Sequence, residues 1–258
     1  MSGRATARTC VRALFFVLCT GPVASALAGP QIALDIGHST AHPGAVSARG
    51  RAEFFFNRDL ADHMSGALQA QQFVVRMINL DGTEQGLESR SAKAAGADFL
   101  ISVHHDSVQP QYLKEWMFQD QPQRYSDRYS GFSLFVSRSN PDPALSLACA
   151  SAMGSALRES GLTPSLHHAE AIEGENRLLA DEANGVYYYD ELVVLRTATQ
   201  PAILLEAGVI VNRDEEAMLS RIDHQQRIGR AVTRGLIQCL RPGGKPREKQ
   251  ESKSQLQQ

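Results

Sequence analysis

The chain has 258 residues, with 26 Lys plus Arg against 28 Asp plus Glu and a formal net charge of -2. That balance leaves no global basic excess to hold nucleic acid or anionic lipid. With 43% hydrophobic and 21% charged residues it is the composition of a folded protein with a core, and four cysteines are too few for a disulfide-built scaffold.

The first segment predicts export. Arg4, Arg8 and Arg12 precede an apolar run over 13–19, and Ala24-Ser25-Ala26-Leu27-Ala28 supplies a small-x-small site. These are the parts of a secretory signal peptide over 1–28, cleaved after Ala28. A membrane anchor is the competing reading, but the apolar run meets Gly21-Pro22 well short of the roughly 20 residues that span a bilayer. The expectation is an exported, periplasmic protein with no stable membrane insertion after cleavage.

Residues 31–35 then read as a short buried strand, followed by a loop with Gly37, Pro43 and Gly44. Over 53–69, Phe56, Leu60, Met64 and Ala67 recur at helical spacing. Residues 73–78 are rich in β-branched side chains and predict a second strand. Residues 87–95 predict a helix stopped by Gly96, and 99–104 a third strand. The stretch 107–131, with Tyr112, Trp116, Phe118, Tyr125 and Tyr129, reads as an insertion with the usual functional bias of long loops.

Another strand is expected over 132–136 and a helix over 143–160, with Pro143 at its start. Residues 161–190 are polar and show no clear period. Strands are expected at 192–195 and 202–206, and helices at 214–220 and 221–238. Strands alternating with helices imply a single α/β domain over 29–240, with a mostly parallel central sheet flanked by helices. Residues 241–258 have Leu256 as their one aliphatic side chain and predict a disordered tail. The leader holds three Arg, and the tail five basic and two acidic residues, which leaves 29–240 with 18 basic against 26 acidic side chains. The domain is acidic and the tail basic.

In such sheets, ligands gather beyond the carboxyl ends of strands, where several ionisable residues fall. His38 follows the first strand, His104 ends the third, and Glu206 ends a late one, while Glu53 opens the first helix behind a Gly-containing loop. Two His and a carboxylate with an open position make a zinc site that activates water, and a further carboxylate can serve as general base. Each residue also has an ordinary reading: a His at a strand end is often structural, and a Glu at a helix start favours the positive end of the dipole. Glu206 is the least ordinary, because a carboxylate in the apolar run PAILLEAGVI is costly unless paired or functional.

The blocks IALDIGHST with HPGAV, RAEFFFNRDLADHM, SRSAKAAGADFLISVHHDS and VLRTATQPAILLEAGVIVN resemble, in order, those of zinc-dependent N-acetylmuramoyl-L-alanine amidases, the cell-wall hydrolases of amidase family 3. The resemblance spans about 31 to 240. It implies an α/β fold and hydrolysis of the amide joining the lactyl group of N-acetylmuramic acid to L-Ala of the peptidoglycan stem peptide. It also implies that His38, Glu53 and His104 ligate Zn2+ and that Glu206 is the catalytic carboxylate. The family pattern is Ser-Ile-His followed by a small residue and Asn, where this chain reads Ser102-Val103-His104-His105-Asp106, and Ser39-Thr40 stand where Gly-Gly is usual; both are modest departures. Two other classes stay open: another zinc peptidase acting on the stem peptide, and a non-catalytic murein-binding protein.

The remaining candidates are of lower rank. Cys149 and Cys239, the cysteines left after cleavage, are either a disulfide or buried thiols. His42, His63, His105, His167, His168 and His224 read as surface or structural residues, with His42 or His168 as an extra near the site. Tyr187-Tyr188-Tyr189 could stack on sugar rings or simply pack, and Arg196 could hold a stem-peptide carboxylate or be a solvated charge. Some relatives are restrained by an acidic residue that occupies the zinc, and Glu170, Glu173 and Glu175 in 165–190 are candidates for that role here. The substrate partner is peptidoglycan. A protein regulator or recruiter is left unidentified, because no wall-binding repeat is visible.

Overall fold

A computed structural model describes residues 29–240. The leader expected over 1–28 and the basic tail expected over 241–258 lie outside the described residues. Among the described residues nine strands run β1 Gln31–Ile36, β2 Val74–Ile78, β3 Phe99–Asp106, β4 Lys114–Phe118, β5 Gln121–Tyr125, β6 Ser133–Val136, β7 Leu179–Asp181, β8 Val186–Tyr188 and β9 Ala202–Val209. The helices are α1 Glu53–Gln69, α2 Leu87–Lys93, α3 Pro143–Glu159, α4 Val193–Arg196, α5 Arg213–Leu219 and α6 Ile222–Leu240. Seven strands form one sheet in the order β2-β1-β3-β9-β6-β8-β7. Four of its six pairings are parallel; β6–β9 and β7–β8 are antiparallel.

The alternation of each strand divides the core into two layers. Ile32, Leu34, Ile101, Val103 and Leu205 meet Phe56, Leu60, Met64 and Leu68 of α1 together with residues of α3 and α6. Ala33, Leu100, Phe135 and Leu204 turn to the other face, against Ala94 beyond α2 and Val194 and Leu195 of α4. Cys149 of α3 and Cys239 of α6 are joined as a disulfide, which resolves that pair of readings.

One predicted strand is corrected: 192–195 is not a strand but falls in the short helix α4. The β-branched content of Leu-Val-Val-Leu is satisfied there by burying Val194 and Leu195 under the sheet, a case of tertiary packing overriding propensity. The unreadable stretch 161–190 contributes the edge strand β7 and its inner neighbour β8, each of three residues. The insertion 107–131 holds an antiparallel hairpin, β4–β5. Its two turn residues, Gln119 and Asp120, both have positive φ (50° and 59°), as a primed hairpin turn requires. Trp116 Nε1 on this hairpin donates to the Ala48 carbonyl at 2.8 Å, so the insertion is docked on the loop after β1.

Candidate metal centre

The carboxyl end of β1 is held by buried polar pairs. Arg90 Nε donates to Asp35 Oδ1 at 2.8 Å, and Ser102 Oγ to Asp35 Oδ2 at 2.7 Å. The chain then leaves the sheet through Gly37. A Cβ at Gly37 would run into the His104 ring, and one at Gly44 (φ +79°) into Glu53 Oε2 and the His38 ring. Both positions need glycine because the backbone passes directly against candidate ligands. His38 itself has φ +66°, and Asn79 Nδ2 steadies it by donating to the Ile36 and His38 carbonyls at 2.8 and 2.6 Å.

Three candidate residues from three elements converge here. His38 Nε2 lies 3.0 Å from Glu53 Oε2, and His104 Nδ1 lies 3.1 Å from Glu53 Oε1. One ligand atom from each residue falls within 4.8 Å of the others. Glu53, the first residue of α1, is 4% exposed. Burial alone would raise its carboxyl, but hydrogen bonds and charge from His104 and His38 outweigh burial and hold it well below the usual carboxylate range. The backbone N–H of Ala45 donates to Oε2 at 3.1 Å and that of His105 to Oε1 at 3.3 Å. The His38 side chain remains 33% exposed, so the group has an open face. Two imidazoles and one carboxylate with an open face are the donor set of a catalytic zinc site, and the residues fit that ion.

Behind the candidate ligands stands a residue that no sequence motif singles out. Asn57, one turn after Glu53 on α1, is fully buried. Its Nδ2 donates to Glu53 Oε1 at 3.1 Å and to the Gly37 carbonyl at 3.2 Å. Its Oδ1 lies 2.8 Å from His105 Nδ1. With both amide protons committed, Oδ1 is the acceptor, so His105 carries its proton on Nδ1. Burial pushes the His105 imidazole down to about 3, which keeps it neutral. The i, i+4 spacing of Glu53 and Asn57 was the signal that could have found this pair.

Glu206 is brought beside His104 by register: the two are direct partners across β3 and β9. Oε2 of Glu206 is buried and, among the described residues, without a hydrogen-bond partner. Burial first, then the negative charges of Asp106 and Glu53, raise its carboxyl well above the usual range. A cleft of about 550 Å³ opens next to this centre, lined by Ala45, Ser107, Val108, Leu113, Gln123 and Val211. The hairpin insertion therefore forms one wall of a cleft that begins at the loop holding Glu53.

Other candidates are not drawn in. His42 is exposed and belongs to no such group. Tyr187 is fully buried and donates its hydroxyl to the Ser165 carbonyl at 2.8 Å, so it packs rather than stacks on ligand. Arg196 is an exposed charge. Glu170 accepts from Tyr129 and Tyr112 at 2.5 and 3.2 Å, and Glu175 pairs with His168 at 2.8 Å. Glu173 is exposed. Among the described residues none of these three acids makes a polar contact with His38, Glu53 or His104, so the expected acidic plug is not what the segment forms. His167 and His168, expected at the surface or as scaffolding, are buried at 5% and 8% exposure in a second cluster with Asp106.

A family model for N-acetylmuramoyl-L-alanine amidases, Amidase_3, matches residues 32–238. The chain belongs to this family. It is 24% identical over 212 residues to the "Probable cell wall amidase LytH" of Staphylococcus aureus, covering 81% of this chain and 58% of that relative. It therefore spans little more than half the length of the curated relatives it matches. Among solved structures, an N-acetylmuramoyl-L-alanine amidase from Clostridium difficile 630 shares the fold with a TM-score of 0.64 at 19% identity, over 82% of this chain and 96% of that one. Ami1 from Mycobacterium smegmatis does so with a TM-score of 0.65 at 20% identity, over 82% and 97%.

Proposed function

We propose that this chain is a zinc-dependent N-acetylmuramoyl-L-alanine amidase, cutting the amide between the lactyl group of N-acetylmuramic acid and L-Ala of the peptidoglycan stem peptide. The observation that carries the reading is the convergence of His38 Nε2, Glu53 and His104 Nδ1 on one open position, within a chain of the amidase family. These three side chains would hold the zinc. When bound, zinc lowers the pKa of a water towards about 7 and polarises the scissile carbonyl.

The chain's own groups supply the rest. Glu53 stays ionised because both histidines and two backbone N–H groups face it. Glu206 accepts the proton of the attacking water and returns it to the departing amine of L-Ala. Its buried Oε2 and its two acidic neighbours favour holding that proton between the two events. The cleft beside Ala45 and Val108 takes the stem peptide. Export is part of the reading: the leader over 1–28 carries the chain to a substrate that lies outside the cytoplasm, and the mature protein begins at Gly29. The basic tail is available for contact with anionic envelope polymers.

Digestion of purified sacculi followed by mass spectrometry tests the reaction. Free stem peptides with an L-Ala amino terminus are expected. Cuts within the stem would make the protein a different peptidase, and absence of both zinc and turnover would make it a murein-binding protein.

A further inference from the structure

We infer that Asp106, His167 and His168 form a second site for a divalent transition-metal cation of the zinc type, separate from the His38–Glu53–His104 centre and independent of the reading of that centre. Asp106 ends β3, whereas the two histidines lie on a 3-10 turn, His167–Ala169, between α3 and β7. His168 Nε2 lies 2.8 Å and His167 Nε2 3.4 Å from the same oxygen, Asp106 Oδ2. One ligand atom from each residue falls within 4.8 Å of the others. Ligands bound tetrahedrally at roughly 2.0–2.1 Å stand about 3.4 Å apart, so modest adjustment would seat an ion among the three.

A plain ion pair does not account for the arrangement. One histidine would satisfy Asp106 Oδ2, yet two rings point at it, and His167 Nε2 is buried with no hydrogen-bond partner among the described residues. The atoms facing away from the convergence point are all engaged. His167 Nδ1 lies 2.8 Å from Ser165 Oγ, and His168 Nδ1 lies 2.8 Å from Glu175 Oε2. Glu175 Oε1 in turn accepts from Gln109 Nε2 at 2.8 Å, and Asp106 Oδ1 from the Ser107 N–H at 2.7 Å. Anchoring the far nitrogen of each ring, one of them on a carboxylate, is how metal-binding histidines are oriented. Tyr129 stacks on the His167 ring at 5.0 Å and fixes its plane. An ion here would tie the segment after α3 to the end of β3, two residues beyond His104.

Metal content of the full chain tests this, measured by plasma mass spectrometry after zinc loading and gel filtration. Two equivalents per chain are expected in the native protein. His167→Ala with His168→Ala, and separately the isosteric Asp106→Asn, should each retain one. His38→Ala with His104→Ala should lose the other equivalent and leave the second site filled. Cobalt loading gives a second readout, two additive visible spectra of which Asp106→Asn abolishes one. One equivalent in the native protein, lost in the His38/His104 variant and kept in Asp106→Asn, overturns the second site. One equivalent kept in the His38/His104 variant and lost in Asp106→Asn supports the second site and removes the first. The native stoichiometry and that of the isosteric Asp106→Asn variant together decide the matter even if either histidine variant fails to fold.

Discussion

His104 and Glu206 stand side by side as register partners on β3 and β9. One carries an imidazole that faces Glu53 at 3.1 Å, and the other a carboxyl whose Oε2 has no partner. The proposed metal ligand and the proposed proton acceptor are thereby held on two adjacent strands rather than on loops.

The first prediction follows from that pairing. Glu206→Gln removes the proposed proton acceptor without touching a proposed ligand, so turnover of sacculi should fall by roughly 10²–10⁴-fold while zinc content stays that of the native chain. Undiminished release of stem peptide in this variant would remove Glu206 from the mechanism.

Asn57 offers a subtler test. It orients both Glu53 and His105 from a fully buried position. Asn57→Ala should weaken zinc binding by about 10–100-fold, the usual effect of losing a group that orients a ligand. Competition against a calibrated chelator reads this directly, and an unchanged affinity would show that the other contacts of Glu53 suffice.

The Cys149–Cys239 bridge joins α3 to α6 across a sequence separation of 90. Closing a loop of that size removes unfolded-state entropy worth roughly 4–5 kcal/mol in the chain-entropy model. Cys149→Ala with Cys239→Ala, or reduction of the native protein, should lower denaturant stability by an amount of that order. Activity of the fraction still folded should be nearly unchanged, because neither cysteine belongs to the candidate metal centre.

Glu215 predicts a pH dependence. Burial raises its carboxyl to about 7, against partial opposition from the Val209 and Gly131 N–H groups that donate to it. The folded protein thus holds this proton at pH values where the unfolded chain has released it. Its contribution is complete below about pH 4.5 and is lost as pH rises through about 7, a change on the order of 3 kcal/mol. Glu215→Gln should flatten the native stability profile across that window, and parallel profiles for the two proteins would refute the assignment.

Much of this protein is written locally. Helix α1 runs over 53–69 as its apolar spacing predicts, and β1, β3 and β9 follow from short apolar runs between glycines and polar clusters. Glu206 is conspicuous as a carboxylate inside such a run. These features depend on a few neighbouring residues, so period and residue type suffice to read them. The candidate ligands His38, Glu53 and His104 are legible as residue types at strand and helix ends. Their mutual distances are not, because they lie on separate elements and meet through the β1–β3 pairing and the close passage of Gly37 and Gly44. The segment 161–190 shows the limit most clearly. It has no period, and its two short strands exist because β6 offers β8 a parallel partner and β8 in turn offers β7 an antiparallel one. His167 and His168 look like ordinary polar residues in a loop until that segment is folded over the end of β3, where Asp106 faces both. Local chemistry specified the strands and helices that carry a clear period. Long-range packing settled which donors share a point in space, since that depends on chain closure over many tens of residues rather than on any local preference.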